Sequence, residues 1–179
     1  MQRHGVAGTG IAQILATSGV TRRSIYLNFP GGKAELVAAA TRSAGDEMTT
    51  MLRDFVAQPD PIGAFTRMWS EVLVGTDFED GCPIVAAASG RDESPEAAST
   101  AADVFAEWAQ LLAERLTDDG VNPAAAQSLS TTIVASIEGA VILSRAARST
   151  KPLEQVSHHL GELVAQHRPA QPRGQRRRN

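Results

Sequence analysis

The chemistry of this chain is concentrated between Thr21 and Lys33. Thr21, Arg22, Arg23, Ser24, Tyr26 and Asn28 fall close together there, and Lys33 follows. Arginine presents a planar fork that pairs bidentately with guanine O6 and N7, worth about 1–3 kcal/mol of discrimination. Tyrosine, asparagine and lysine suit phosphate oxygens, which position a protein on a duplex without reading it. On a helix these polar types point outward, while Ile25 and Phe29 share the inner face. Thr9, at the start of an earlier helix, and the open N–H groups beside it suit a further phosphate. The set points to a polyanionic partner.

The charge distribution says the same. The chain has 17 basic and 20 acidic side chains, a net charge of -3. Residues 1–42 hold five basic side chains and one acid, whereas residues 43–165 hold 7 basic and 19 acidic ones. Residues 166–179 add five arginines and no acid. A basic head on an acidic body confines a polyanion to the head, because the body repels it.

Elsewhere the reactive residue types stand alone. Cys82, the single cysteine, cannot close an internal disulfide, which favours a reducing compartment. A helix starting at Pro83 would favour its thiolate, but Asp77, Glu79 and Asp80 oppose that, and Cys82 reads as structural. Glu154, His158, His159 and Glu162 recur at helical spacing and read as a solvated stripe rather than a metal face. No Ser-His-Asp order, phosphate-binding glycine loop or dinucleotide motif stands out. Neither enzyme chemistry nor a metal or cofactor is expected. No apolar run approaches the ~18 residues of a membrane span, and no secretory signal follows Met1. The expectation is a soluble, cytoplasmic protein with no membrane partner.

The elements that must position these residues are helices. The chain has 29 alanines and only 4% aromatic residues, a balance that favours helix over sheet. Thr9 to Thr17 is expected as a short helix capped by Thr9, with Ile11, Ile14 and Leu15 on one face. Gly19 stops it, Val20 plugs the angle, and Thr21 caps a second short helix to Phe29. That is a helix-turn-helix. After Pro30-Gly31-Gly32, helices are expected over residues 33–57, 61–75, 83–89, 94–118 and 122–149, with a last one from 151. Residues 166–179, with Arg176-Arg177-Arg178, read as a disordered basic tail. The expected fold class is all-α.

Residues 5–36, GVAGTGIAQILATSGVTRRSIYLNFPGGKAEL, resemble the DNA-binding domain of the TetR family. The shared features are Gly5, Thr9, Ile11-Ala12, Gly19-Val20, Tyr26, Phe29 and Lys33-Ala34-Glu35-Leu36. Phe29-Pro30-Gly31-Gly32-Lys33, Gly81-Cys82-Pro83 and Glu138-Gly139-Ala140 are similar to the LmrA/YxaF-like branch. The resemblance implies a helix-turn-helix head over residues 1–42 and a body for effector binding and dimerisation over residues 43–165. It implies a homodimeric repressor that holds double-stranded operator DNA and releases it when a small molecule enters the body. Thr9, Thr21, Arg22, Arg23, Tyr26, Asn28 and Lys33 fall on its DNA-facing positions, with Asn28 replacing the commoner histidine.

Family geometry puts the ligand pocket among the helices that begin near Lys33, Pro61, Ser94 and Asn122. Met48, Met51, Leu52, Phe55, Phe65, Trp69, Trp108, Leu112, Ile133 and Ile137 are the expected lining, though each suits an ordinary core position as well. Methionine and aromatic residues suit an adaptable apolar site, so the expected effector is apolar. The last two helices carry more apolar surface than a monomer needs, and two-fold pairing into a four-helix bundle is the expected use. One feature departs from the resemblance. The family's domain has a helix ahead of the position of Gly5, where only Met1 to His4 stand here. Ile11, Ile14 and Ile25 are expected to lose part of their cover. The alternative that follows is a dimeric small-molecule-binding relative that has lost DNA binding.

Overall fold

The structure, a computed structural model, describes residues 1–169. The Arg176-Arg177-Arg178 run lies outside the described residues. Eight helices and no strand form among the described residues. They are α1 (Ile11–Ser18), α2 (Arg22–Asn28), α3 (Lys33–Val56), α4 (Pro61–Gly75), α5 (Pro83–Ala88), α6 (Pro95–Asp118), α7 (Pro123–Ala147) and α8 (Lys151–His167). The all-α expectation holds, and α8 continues two residues into the segment expected as tail.

Local chemistry sets the boundaries. Pro61, Pro83, Pro95 and Pro123 each open a helix, where the missing N–H costs nothing. Asp60, Ser94 and Asn122 cap three of those helices, accepting from the N–H groups of Gly63, Ala97 and Ala124 at 3.0, 3.4 and 3.0 Å. Gly19, at φ 70°, ends α1, and its N–H donates to Leu15 O at 3.1 Å.

The start of α1 differs from expectation. Its N-cap is Gly10, without a side-chain bond, because the Thr9 hydroxyl donates backward to Gly5 O at 2.7 Å. The segment before it is a run of turns, closed by Gly5 N–H on Met1 O at 2.8 Å. Val6 is buried there against Gly90, and Arg3 Nε pairs with Asp80 at 2.7 Å.

The body is organised by α3 and α6, whose contact is the most extensive between any two helices. Three features hold that seam. The buried Ser94 hydroxyl donates to Ala34 O at 3.0 Å, joining the two helix starts. The Trp108 indole N–H donates to Thr49 Oγ1 at 2.8 Å in the buried middle. Arg115 donates to Val56 O and Gln58 O at the far end. α7 packs on the other side of α6, and α8 lies across α4 and α7. By length and composition α7 could cross a membrane, but Leu129, Ile133, Ile137, Ala140 and Val141 bury it in the bundle.

Gly45 sets the closest approach in the seam, since a Cβ there would meet Val104 Cγ2 at 2.6 Å. In an open helix, glycine to alanine gains about 1 kcal/mol. Here overpacking, about 1–3 kcal/mol, wins. Gly45→Ala is expected to lower the urea midpoint of unfolding. In a Val104→Ala background the same change becomes neutral or stabilising. A loss of equal size in both backgrounds would refute the contact.

Candidate functional site

The head is built on a satisfied turn. Thr21 Oγ1 accepts from Ser24 N–H at 3.1 Å, which fixes the first turn of α2. Ile25, 4% exposed, is the residue that α2 buries, while Phe29 is half-buried. Thr21, Arg22, Arg23, Tyr26 and Asn28 are exposed, and Ser24 is half-exposed. Val20 does not plug the helix angle as expected. It is 44% exposed, because Gly19 turns the chain outward at that point. The Asn28 side-chain amide donates to Ser24 O at 2.9 Å, leaving its carbonyl and one N–H open.

The second half of the motif ties α2 to α3. Gly32 is buried at φ 70°, and a Cβ there would sit 3.4 Å from Tyr26 Cε1. The Glu35 carboxylate accepts Gly31 N–H at 2.7 Å, holding the tight turn. Lys33 then opens α3, half-buried, just beyond α2. The expected loss of cover is uneven. Ile25 stays buried, whereas Ile11 and Ile14 are half-exposed, and α1 buries no residue.

Ion pairing distinguishes the basic side chains of α2 and the start of α3 from most of the other arginines. Among the described residues Arg22, Arg23 and Lys33 have no ion-pair partner. Arg3, Arg42, Arg53, Arg67, Arg115 and Arg148 each lie within 4.0 Å of a carboxylate. Unpaired arginines on a capped, exposed helix are free to meet an anion. Sequence reasoning passed over Leu27, which is 70% exposed on the same helix. A leucine inside a helical pattern gives no sign of its outward direction until the helix is placed.

In the body, Leu52, Phe65, Trp108, Leu112, Ile133 and Ile137 line one narrow apolar void of about 20 Å³, together with Pro61, Ile62, Val134 and Glu138. That is room for roughly one water. The other expected lining residues lie elsewhere. Met48 and Trp69 are buried in the core, Phe55 stacks edge-on against Phe65 at 5.8 Å, and Met51 is 39% exposed. A larger apolar cleft of about 480 Å³ opens between α5, α6 and α7. A third cavity, of about 140 Å³, lies beneath α5 and the N-terminal turns.

Glu138 borders all three spaces. It is 6% exposed, and neither carboxylate oxygen has a hydrogen-bond donor. Burial raises its pKa to about 7. The Cys82 thiol nearby offsets a little of that shift without closing a bond of ordinary geometry. Cys82 itself is buried at the N-cap of α5, and burial followed by the Glu138 charge pushes its thiol far above the usual range. It stays protonated, in keeping with a structural role. On α8, the exposed Glu162 carboxylate lies 3.4 Å from His158 Nε2 and 3.1 Å from His159 Nδ1, while Glu154 accepts instead from Thr150 Oγ1.

A capped, basic helix-turn-helix seated on a helical body with internal cavities defines a DNA-binding regulator. Comparison with known proteins places it further. Residues 1–40 match the profile of bacterial regulatory proteins of the tetR family, and residues 60–159 match the transcriptional regulator LmrA/YxaF-like C-terminal domain. The HTH-type transcriptional regulator LmrA of Bacillus subtilis is 31% identical over 168 residues, covering 91% of this chain and 89% of its own. An uncharacterised HTH-type regulator of Mycobacterium tuberculosis is 31% identical over 170 residues, covering 92% and 88%. The regulatory protein TetR from Rhodobacter sphaeroides superposes with a TM-score of 0.80 at 19% identity over 90% of each chain, a likeness of fold. A TetR transcriptional regulator from Chloroflexus aurantiacus gives 0.76 at 27% identity, over 94% and 90%. The chain belongs to the TetR family of bacterial transcriptional regulators, with a body of the LmrA/YxaF-like type. It is a regulator and not an enzyme.

The Glu138 carboxyl makes stability depend on pH. Below its ordinary value of 4.5 the proton is bound in both folded and unfolded chains, and stability is greatest from this source. Between 4.5 and about 7 the unfolded chain ionises first, so stability falls as pH rises, and the loss is complete above about 7. The loss is on the order of 3 kcal/mol. Glu138→Gln is expected to abolish it. Chemical unfolding at about pH 5 and pH 8 should show the variant gaining on the parent at the higher value. A constant difference would sink this account.

Proposed function

We propose that this chain is a cytoplasmic, homodimeric repressor that grips double-stranded operator DNA through α2 and releases it when a small effector enters the body. The observation that carries the reading is the outward face of α2, where Arg22 and Arg23 stand exposed without acidic partners on a basic head. A major groove admits one helix, with its first turn toward the base edges. Arg22 and Arg23 sit in that first turn. Thr21, Ser24, Tyr26, Asn28 and Lys33 flank it as phosphate ligands. The Thr9 hydroxyl hydrogen is committed to Gly5 O, so the contribution there falls to the open N–H groups at the start of α1. Residues 1–42 serve as the reading head and residues 43–165 as the sensing and pairing body. The effector is small, with an apolar body to match the walls of the cavities.

Pairing is supported by α7. Ile142 and Leu143 are 51% and 59% exposed on it, and Gly139 has open space where a Cβ would stand. Such a flat apolar face suits a two-fold helix bundle. Sedimentation is expected to give a dimer at micromolar concentration, and Leu143→Arg a monomer of unchanged helix content. A monomeric parent chain would end the dimer reading.

One observation favours the competing reading, a dimeric ligand-binding relative that no longer holds DNA. α1 buries no residue, so the head is thinly anchored. Fluorescence anisotropy with DNA from the gene's own upstream region, beside scrambled DNA and across a salt series, separates the two. The repressor is expected to bind selectively and to weaken steeply with salt as counterions are released. Arg22→Ala and Arg23→Ala should cost about 1–3 kcal/mol and relax sequence preference. Lys33→Ala should weaken all sequences alike. No selective binding by a folded dimer favours the competing reading.

A further inference from the structure

Three separate spaces converge on one side chain. Glu138 borders the narrow 20 Å³ void, the 480 Å³ cleft and the 140 Å³ cavity, at 6% exposure and with both oxygens unpartnered. A buried carboxylate with no donor is costly and rare, and calls for an explanation. The walls of the cleft do not supply one. Val85, Phe105, Ala109, Val134 and Ala135 are apolar, and no cation faces Glu138 from α5 or α6. On the far side, Arg145 borders the 140 Å³ cavity together with Glu138; its Nη2 donates to Glu79 O at 2.8 Å and Arg3 O at 3.4 Å, while its buried Nε has no partner and makes no bond to Glu138. The Cys82 thiol is uncharged.

We propose that Glu138 is the anchor for a cationic effector, an ammonium or similar charged group on an apolar body that lies in the cleft between α5, α6 and α7. This rests on the effector reading above and narrows it to a ligand class. A cation supplies the partner that the carboxylate lacks, and the burial of Glu138 weakens the screening of the pair by water. Phe105 on the cleft wall adds a π face to which such a head is attracted. A divalent metal does not fit the same place, since one carboxylate among apolar walls leaves most of its oxygen ligands missing. An anion is repelled by Glu138 itself.

The test uses two ions of the same shape and opposite charge, tetraphenylphosphonium and tetraphenylborate, with neutral Nile red as a third probe. Each is titrated calorimetrically or by fluorescence into the full chain near pH 8. The phosphonium is expected to bind at least tenfold more tightly than the borate. Lowering the pH to 6 should weaken the phosphonium about tenfold, because Glu138 takes up a proton near 7. Cys82, packed beside it, stays protonated in that interval because burial holds its thiol far above the usual range; the Arg145 guanidinium is the charged group that borders the same cavity. Glu138→Gln should lose phosphonium affinity tenfold or more and keep Nile red. The charge preference and pH profile of the parent chain decide the matter even where the variant fails to fold. Equal binding of the two ions, no phosphonium binding, or a folded Glu138→Gln that retains it, each overturns the proposal. If Nile red still binds in those cases, the cavity reading stands and the cation falls. If no probe binds, both fall.

Discussion

Everything in this molecule hangs on the seam between α3 and α6. Among the described residues, α3 is the helix that runs from the end of α2 into the body, and α6 is the surface on which it lies. The seam is dry and short-range. Gly45 lets the helices approach, Trp108 and Thr49 satisfy each other in its middle, and Ser94 locks the two helix starts together. None of these contacts tolerates sliding, because close-packed interiors do not deform continuously. A change of shape in the body therefore reaches α3 as a movement of the whole helix. The turn between α2 and α3, held by the Glu35 carboxylate on Gly31 N–H, passes that movement to the end of α2, which is otherwise sparsely packed.

The contrast between the two ends of α3 has a functional sense. Within the body the helix is gripped on several sides. At the head, α1 and α2 touch the rest of the molecule only sparsely. Few buried contacts mean a low cost of local movement. On the function proposed above, a reading head must adjust to a groove, while a sensing body must hold a cavity open against collapse. The distribution of packing along one helix serves both needs. The N-terminal turns add a second tie between the ends, through Val6 against Gly90 and Arg3 on Asp80.

Much of this was legible in the sequence, and the exceptions have physical causes. Helix-opening prolines and polar caps announced nearly every boundary, because they act within a single turn. The α2 face was legible for the same reason, since one helix fixes which residues share a side. Thr9 misled because threonine can bond forward or backward, and only the turn at Gly5 decides which. Val20 misled because its direction depends on the left-handed Gly19 before it. The pocket was harder. Its candidates were chosen by residue type, but whether Met51 or Ile133 faces a cavity depends on how four helices rotate against one another. Glu138 drew notice only as part of a Glu-Gly-Ala motif. Its isolation is a property of three elements at once, and no local pattern encodes it.

That isolation also bounds what a ligand there could achieve. A ligand shifts a conformational equilibrium only by its differential affinity for the two states. The unpaired carboxylate raises the energy of the ionised body by an amount on the order of 3 kcal/mol, set by its displacement from 4.5 to about 7. A cation that relieves this cost in one arrangement of the helices, and not in another, can favour that arrangement by up to the same amount. Couplings of about 1–3 kcal/mol are what allosteric proteins ordinarily use. The position strengthens the case. Glu138 lies on α7 one turn before Ile142, so a displacement forced at the cavity is also a displacement of the exposed apolar face proposed to join the two protomers. In the proposed dimer, two heads held at a fixed spacing need only a small rotation at that face to lose register with adjacent grooves ~34 Å apart.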